Sequence, residues 1–461
     1  MRRKEVILLK LRPIPEIIID NNSRDKNGQD YIFSFLFLIS KKRNNKMNWW
    51  ENEFLQVKQN KLYLENFSAE QLARKYGTPL YVYSLKKAAT NFKHLRQAFE
   101  PAPSGIAVKI AYAMKANSHP GLLKMLIKEG AAIDAVSPAE VEKAIQAGFS
   151  EDRIMFTGTS ISQEDFERVL AHPGVTINID AYEQIELLQA ARKRRQIKNP
   201  VRVSVRWNPG LGRGFSSKTV TAGKRSPEGT PIKFGVEDSR VLETFEKLQA
   251  LKFLPVGLHQ HLGSGWSEED FPVAVKAVDR MIRKARELKR AGFNLEFLDF
   301  GGGFGPKYSS EQRLFPLKEY ATYIVDRVEN SRLGLKAIIV EPGKYLVAEA
   351  GVLLVKVEYL KKNYGNLFAC VNAGTYNSVP RPAIYEEAYH EIVNASRIKS
   401  GKKDKITVAG HLCETGDVFG VERLMPCPER GQILAILMAG AYCRSMASNF
   451  NLRDIPEEIL I

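Results

Sequence analysis

Polar side chains that could carry out catalysis stand at the ends of apolar runs. Lys115 directly follows one run, Asp134 lies near the end of the next, His261 ends a later one and Glu341 follows the last. An amine, an imidazole and two carboxylates are groups that enzymes use for covalent and general acid–base catalysis. The sequence therefore predicts an active site, provided that the fold brings the ends of these runs together.

The apolar runs alternate with amphipathic stretches of helical period, which predicts alternating strands and helices. The predicted strands are Val108–Met114, Ala132–Ala135, Arg153–Phe156, Thr176–Ile179, Val201–Arg206, Val256–His261, Glu296–Phe300 and Ala337–Val340. Eight units of this kind, with no G-x-G-x-x-G after the first strand, favour a closed barrel over an open doubly wound sheet. Because such a barrel carries its active site at the carboxyl ends of its strands, the polar side chains are expected to converge there.

Two turns at the same end of this barrel are predicted to bind phosphate. Gly301–Gly303 follow the seventh strand and Glu341-Pro342-Gly343 follow the eighth, which is where barrels commonly hold phosphate. Glycines let backbone N–H groups approach an anion. A phosphate cradle together with a lysine, a histidine and a carboxylate has the parts needed to bind pyridoxal 5′-phosphate. No metal site is predicted.

The rest of the chain differs in texture from this α/β barrel. After Gly351 most segments resemble strands, and Leu80–Tyr83 has the same character before the barrel begins. We therefore predict a TIM (β/α)8 barrel plus a β domain built from both chain ends. The predicted divisions are an extension that is disordered or a start-site artefact (1–46), an N-terminal part of the β domain (47–84), the barrel (85–348) and a C-terminal β domain (349–461).

Composition excludes several classes of protein. The net charge is +16, but six of these charges lie in residues 1–46 and no basic stripe with interleaved aromatics follows, so nucleic acid is not an expected partner. No apolar run approaches the 18 residues that would span a membrane. The four cysteines form no C-x-x-C pair, so they predict neither a zinc knuckle nor a dithiol redox motif. A reducing compartment is expected. A cytoplasmic location is expected.

Ten short strings resemble, in order, the fold-type III pyridoxal-phosphate decarboxylases, and within them the diaminopimelate decarboxylases. The strings are YAMKANS (112–118), FTG (156–158), RWNP (206–209), KFG (233–235), HLGSG (261–265), GGGFG (301–305), EPG (341–343), PRPAIY (380–385), CETGD (413–417) and GAYCRSMASN (440–449). The resemblance implies decarboxylation of meso-2,6-diaminoheptanedioate to L-lysine and carbon dioxide, the last step of lysine biosynthesis. It also implies a homodimer with active sites shared across the interface.

The resemblance also implies a set of cofactor contacts. Lys115 matches the Schiff-base lysine, His261 the imidazole that stacks on the cofactor ring, and Glu341 the carboxylate that holds the ring nitrogen protonated. The remaining contacts implied are Asp134 near the Schiff base, Ser264, Gly303 and Gly343 at the phosphate, Tyr442 beside them, and Arg206 and Lys344.

Substrate contacts follow from the same resemblance. Arg381 matches the guanidinium that binds the carboxylate left intact, and Tyr385 matches a neighbouring contact. Cys413 matches a proton donor, and Glu414 a group that binds the distal amine, both reaching into the neighbouring subunit's site. Lys344 and Tyr442 are expected to contact substrate as well. Lys344 stands where the family usually has arginine, so it keeps the charge but loses the fork.

Four alternatives remain open from the sequence. A sister decarboxylase would act on ornithine, arginine, lysine or carboxynorspermidine, none of which would use Arg381 in the same way. An inactive homologue that regulates an active enzyme would be expected to lose Lys115 or Cys413, and both are present. A racemase with the same barrel would lack the CETGD and HLGSG strings. A nucleic-acid or scaffold role has only the net charge in its favour.

Overall fold

Eight parallel strands close into a barrel in the computed structural model. Each strand pairs with the next, and the eighth pairs with the first through Ala337 and Ala107. The strands are Ala107–Ala113, Ala132–Ala135, Ile154–Phe156, Thr176–Ile179, Arg202–Asn208, Leu254–His259, Phe297–Asp299 and Ala337–Val340. The predicted closed barrel is confirmed. The structure describes residues 48–100, 102, 105–399 and 402–461, and the predicted extension over residues 1–46 lies outside them.

The sixth strand begins and ends two residues earlier than predicted, at Leu254 and His259 instead of Val256 and His261. It ends at His259, and the Gln260 amide makes a last bond to the Asp299 carbonyl (3.0 Å) before the chain turns. The turn passes through Gly263, whose φ of +144° is one that side-chain-bearing residues rarely adopt. His261 therefore lies in the loop beyond the sheet, while His259 remains within the strand.

Helices follow the strands because each amphipathic stretch has clear start and stop signals. In the helix Pro138–Ala147, the Ser137 hydroxyl accepts from the Glu140 amide, and Gly148 ends the helix at a φ of +105°. The main barrel helices are Leu85–Ala98, Pro120–Glu129, Pro138–Ala147, Gln163–Val169, Gln184–Arg194, Val241–Ala250, Phe271–Arg290 and Leu317–Glu329. Within the described ranges, none is both long and apolar enough to cross a bilayer.

The second sheet uses strands from both ends of the described chain. Its main path consists of Ile392–Asn394, Ile433–Ile436, Gly351–Asn363, Asn366–Val371, Asp404–Ala409 and Val418–Met425. Leu80–Tyr83 pairs antiparallel with the long central strand, and Glu457–Leu460 then pairs parallel with Leu80–Tyr83. A β domain built from both ends is therefore confirmed.

Smaller elements complete the described chain. The strands Leu55–Lys58, Lys61–Leu64 and Phe67–Ser68 form a separate antiparallel sheet, and Val236–Glu237 adds to the fifth barrel strand. Short helices occupy Ala69–Tyr76, Lys344–Val347 and Arg381–Ile384.

The C-terminal region reaches the carboxyl end of the barrel. The Tyr442 amide donates to the Ala116 carbonyl (2.9 Å), and the Asn117 side chain donates to the Gly440 carbonyl (3.1 Å). Gly440 is packed so closely that a Cβ there would stand 1.8 Å from the Val347 carbonyl oxygen. These contacts hold Tyr442 beside the turn that carries Lys115.

Candidate active site

A cavity of about 300 Å³ opens at the carboxyl ends of the barrel strands. Five residues predicted from the sequence line it: Lys115, Asp134, Arg206, His261 and Glu341. They come from five different strands or the loops after them, so the closure of the barrel brings them together. A larger cavity of about 920 Å³, beside the loop that follows the fifth strand, contains none of them.

Lys115 and Asp134 form an ion pair in this cavity. Lys115 Nζ lies 2.5 Å from Asp134 Oδ2, and the aspartate side chain is 1% exposed whereas the lysine side chain is 35% exposed. Burial by itself would lower the pKa of Lys115, but the attraction of Asp134 outweighs it and raises this pKa above its usual range. The pair holds an amine at a fixed position facing the cavity.

Glu341 lies in a buried cluster with His259 and Asp299. His259 Nε2 is 3.1 Å from Glu341 Oε2, and ligand-type atoms of the three side chains lie within 4.8 Å of one another. Burial opposes ionisation of Glu341, but the two nearby histidines and Lys115 hold its pKa below the usual range. Burial and the charge of Glu341 instead raise the pKa of Asp299 well above its usual range. One negative charge is thus concentrated on Glu341.

His261 is held in one tautomer. Its Nδ1 accepts from the Gly302 amide at 3.1 Å, so the proton of the neutral ring must be on Nε2. Burial, reinforced by Arg206 and Lys115, lowers the pKa of His261 to about 3. The imidazole is consequently uncharged near neutral pH.

The glycine turn after the seventh strand has no room for side chains. Gly303 has a φ of +127°, and a Cβ on it would lie 2.2 Å from the Trp266 ring. The loop of Ser264 is bound to this turn, because the amides of Gly265 and Trp266 both donate to the Gly303 carbonyl (2.7 and 2.9 Å). The backbone can therefore approach an anion at this point.

Gly343 belongs to the second predicted phosphate turn. A Cβ on it would meet the Tyr442 hydroxyl and the Ala116 Cβ, each at 3.1 Å. The structure thus brings Gly343 and Tyr442 together next to the Lys115 turn.

Arg206 lies in the same cavity but is already paired. Its Nη1 is 3.2 Å from Asp180 Oδ1, and its guanidinium carbon is 4.5 Å from the centre of the Phe234 ring. Both members of the ion pair are buried.

A second cavity of about 220 Å³ contains the other predicted cations, Lys344 and Arg381. Both are buried, and no carboxylate of the described residues lies within ion-pair distance of either. The Phe215 ring covers both, 4.4 Å from Lys344 Nζ and 5.3 Å from the Arg381 guanidinium carbon. Burial and then the repulsion of Arg381 lower the pKa of Lys344 well below its usual range. Glu387 also lines this cavity, outside ion-pair distance of both. A buried arginine and a buried lysine without a paired carboxylate favour an anionic ligand, which would also stabilise the charged form of Lys344.

Arg381 is oriented by His390. Its Nη1 lies 2.9 Å from His390 Nε2, while His390 Nδ1 lies 2.8 Å from the Leu437 carbonyl oxygen. A neutral histidine satisfies both contacts by donating from Nδ1 and accepting at Nε2. Burial and Arg381 lower the pKa of His390 to about 3, which is consistent with this tautomer.

The two predicted tyrosines, Tyr385 and Tyr442, do not line the second cavity, but each lies next to a residue that does. Tyr385 packs edge-on against Phe215 with ring centres 5.5 Å apart. The Tyr442 ring centre is 5.8 Å from Lys344 Nζ in the second cavity, and the Tyr442 hydroxyl lies beside Gly343 in the predicted phosphate turn.

Cys413 and Glu414 are not brought to either cavity of the chain. Both are exposed on a loop of the second sheet. This loop is nevertheless well fixed: the Cys413 amide donates to Asn451 Oδ1 (2.8 Å), and the Leu412 amide donates to Asp417 Oδ2 (2.7 Å).

Sequence reasoning missed several members of the site. Asp299 directly precedes the Phe300-Gly301 turn at a strand end, so the rule that identified Asp134 could have found it. His259 was visible at a strand end but had no assigned role. Phe215 and Tyr308 line the second cavity without any signal in the sequence pattern, since aromatics in loops are common.

The main cavity fits pyridoxal phosphate. Asp134 Oδ1 and Glu341 Oε1 are buried without a hydrogen-bond partner among the described residues. Because buried polar atoms are usually hydrogen-bonded, these two oxygens indicate a site for a polar ligand. The Lys115 amine that faces the cavity, the neutral His261 imidazole and the glycine cradle complete the set. The family model described as pyridoxal-dependent decarboxylase, pyridoxal binding domain, matches residues 85–348. Fold and site together define a pyridoxal-phosphate-dependent carboxy-lyase with a fold-type III barrel.

Comparison with similar proteins narrows this class of carboxy-lyases to one family. A diaminopimelate decarboxylase of Methanothermobacter thermautotrophicus is 37% identical over 398 residues, 85% of this chain and 89% of that protein. A crystal structure of diaminopimelate decarboxylase from Methanocaldococcus jannaschii with L-lysine has a TM-score of 0.80 at 30% identity, over 89% of this chain and 93% of that one. The Helicobacter pylori enzyme with L-lysine gives 0.77 at 31%, over 85% and 93%. The chain belongs to the diaminopimelate decarboxylases, which confirms the predicted family, enzyme class and cofactor.

Proposed function

We propose that the chain removes carbon dioxide from the D-configured carbon of meso-2,6-diaminoheptanedioate and releases L-lysine. The observation that carries this proposal is the second cavity, where Lys344 and Arg381 are buried without a carboxylate partner. A substrate with a second, unreacted carboxylate would neutralise both cations. L-Ornithine, L-arginine and L-lysine have no such group.

The cofactor contacts are proposed as follows. Pyridoxal phosphate, when bound, accepts the electron pair left by departing carbon dioxide. Lys115 binds it covalently, with Asp134 holding the amine in place, and Glu341 keeps the ring nitrogen protonated. His261 offers an uncharged face for the ring. The phosphate is held by Ser264, Gly303, Gly343 and Tyr442, with Arg206 and Lys344 as nearby cations.

The substrate contacts are proposed on the same basis. Arg381 and Lys344 bind the distal carboxylate, and Phe215 over them limits access of water, which strengthens the charge pairing. Tyr385 and Tyr442 border the distal and reacting ends of the substrate.

We further propose that the active enzyme is a homodimer. Cys413 and Glu414 match a proton donor and an amine-binding group, yet both lie outside the cavities of their own chain. Their loop is ordered by Asp417 and Asn451, as expected for a segment that must present side chains to another molecule at a fixed position. The free state of all four cysteines within the chain supports a cytoplasmic location.

A substrate panel tests the proposed reaction. Purified protein saturated with pyridoxal phosphate is incubated with meso-2,6-diaminoheptanedioate, its L,L isomer, L-lysine, L-ornithine and L-arginine, and carbon dioxide release is measured. We expect the meso compound to be preferred over L-lysine, L-ornithine and L-arginine, because only dicarboxylates pair with Arg381 and Lys344. We also expect it to be preferred over the L,L isomer, because that isomer lacks the D-configured carbon at which the proposed reaction occurs. Preference for ornithine, arginine or lysine would contradict the proposed substrate in favour of a sister decarboxylase.

Complementation between two inactive variants tests the shared site. Lys115→Ala and Cys413→Ala are expected to be inactive alone, and mixing them equally with subunit exchange should restore activity. Each heterodimer then has one site with both original groups, so the ceiling is about a quarter of the unaltered activity. Lack of recovery, once mass spectrometry shows that heterodimers have formed, would place both residues in the site of one chain.

A further inference from the structure

His259 is buried and contacts the carboxylate of Glu341, which lines the main cavity. Its Nε2 lies 3.1 Å from Glu341 Oε2, and His259 and Glu341 are 1% and 5% exposed. Because an ionised carboxylate can only accept, the contact requires a proton on His259 Nε2. The other carboxylate oxygen, Oε1, is buried and has no partner among the described residues.

We propose that His259 is a positioning residue: it occupies Oε2 of Glu341 and thereby leaves Oε1 ionised and aimed at the ring nitrogen of pyridoxal phosphate. The inference rests on the role proposed above for Glu341. His259 itself, which lies two strands away from Glu341 in the barrel, acts through the carboxylate and is not assigned a contact with the cofactor.

The surroundings of Glu341 are buried, and His259 Nε2 makes the hydrogen bond that the structure shows for its carboxylate. Asp299 comes from the strand between those of His259 and Glu341, and its Oδ1 already accepts from the Gly301 amide (2.9 Å). Burial and the charge of Glu341 raise the pKa of Asp299, so Asp299 does not contribute a second negative charge. Without His259, Oε2 would lose the hydrogen bond that the structure shows for it, and a buried carboxylate that loses a donor tends to rotate or take up a proton.

The geometry also separates His259 from His261. His261 Nδ1 is bound to the Gly302 backbone, so this ring does not contact the Glu341 carboxylate through that atom. The two histidines of the H-x-H string therefore have different tasks, one within the strand and one in the loop that follows.

Three variants of His259 distinguish a donor at Nε2 from simple packing. In His259→Gln the side-chain amide nitrogen stands at the distance of Nε2 from the main chain, whereas in His259→Asn it stands at that of Nδ1. His259→Leu removes the donor and keeps comparable bulk. Each protein is loaded with pyridoxal phosphate labelled with ¹⁵N in the ring, and the ¹⁵N chemical shift and the cofactor dissociation constant are measured.

We expect the leucine and asparagine variants to shift the ring nitrogen towards its unprotonated position and to bind the cofactor about 10- to 100-fold more weakly. The glutamine variant should retain the protonated shift and bind within a few-fold of the unaltered protein. If the leucine variant does not fold, the glutamine and asparagine pair decides the question.

Two outcomes would overturn the inference. One is a protonated ring nitrogen and unchanged cofactor affinity in the leucine or asparagine variant. The other is equal behaviour of the glutamine and asparagine variants. Neither readout uses an amino-acid substrate, so a failure of the proposed substrate would leave this result unaffected. An unprotonated ring nitrogen in the unaltered protein would overturn the role of Glu341 and with it that of His259.

Discussion

Lys115→Ala should abolish covalent attachment of the cofactor and lower carbon dioxide release by at least about 10³-fold. The lysine is the amine that faces the main cavity in an ion pair with Asp134, and alanine offers no nucleophile in its place. The visible colour of lysine-bound cofactor should be lost. Borohydride treatment followed by mass spectrometry should find no cofactor-modified peptide.

The matched control is Lys124→Ala, which removes an exposed lysine on the helix Pro120–Glu129 that follows the Lys115 turn. This variant should retain both colour and activity. A cofactor-modified peptide in Lys115→Ala, formed at another lysine and accompanied by activity, would show that the covalent role belongs elsewhere.

Arg381→Ala should lower kcat/KM for meso-2,6-diaminoheptanedioate by roughly 30- to several-thousand-fold. Arg381 is 2% exposed, is oriented by His390 and has no acidic partner, so the distal carboxylate would lose a desolvated, charge-assisted contact. Lys344 lies in the same cavity and offers a partial replacement, which favours the lower part of this range.

Cofactor binding separates a loss of substrate recognition from a general defect. Arg381→Ala should keep the colour of the bound cofactor, because the arginine lines the second cavity and not the main one. It should also narrow the preference for the meso compound over L-lysine. The matched control is Arg430→Ala, which removes an exposed arginine in the same domain. This variant should leave kcat/KM and cofactor binding unchanged. Unaltered kcat/KM in Arg381→Ala would remove the main support for a dicarboxylate substrate.

Much of the main cavity was predictable from the polar residues at the ends of the predicted strands. Lys115, Asp134 and Glu341 each follow or end a short apolar run, and in a closed parallel barrel all such ends lie at one mouth. Their convergence therefore needed only the alternation of runs and helices, which is a local property of the sequence. The glycines at 301–303 and 343 were predictable for a similar reason, because close backbone approach excludes side chains.

The boundary of the sixth strand shows where local patterning stopped being informative. The apolar run predicts a strand through His261, but hydrogen bonding ends it after His259. That difference of two residues separates a histidine that contacts Glu341 from one that lies in the loop. It depends on pairing with the neighbouring strand, which the run itself does not encode.

The sequence by itself determined the fold class, the family, the cofactor and the residues at the barrel mouth, because these depend on periodicity and on short strings. Only the tertiary structure decided which partners those residues have. His259 and Glu341 are 82 positions apart, and Phe215 reaches Arg381 from a loop whose contacts the pattern could not assign. Such contacts arise from barrel closure and from the second sheet packing against its mouth. They are set by three-dimensional packing between distant segments, for which a single sequence has no local signal.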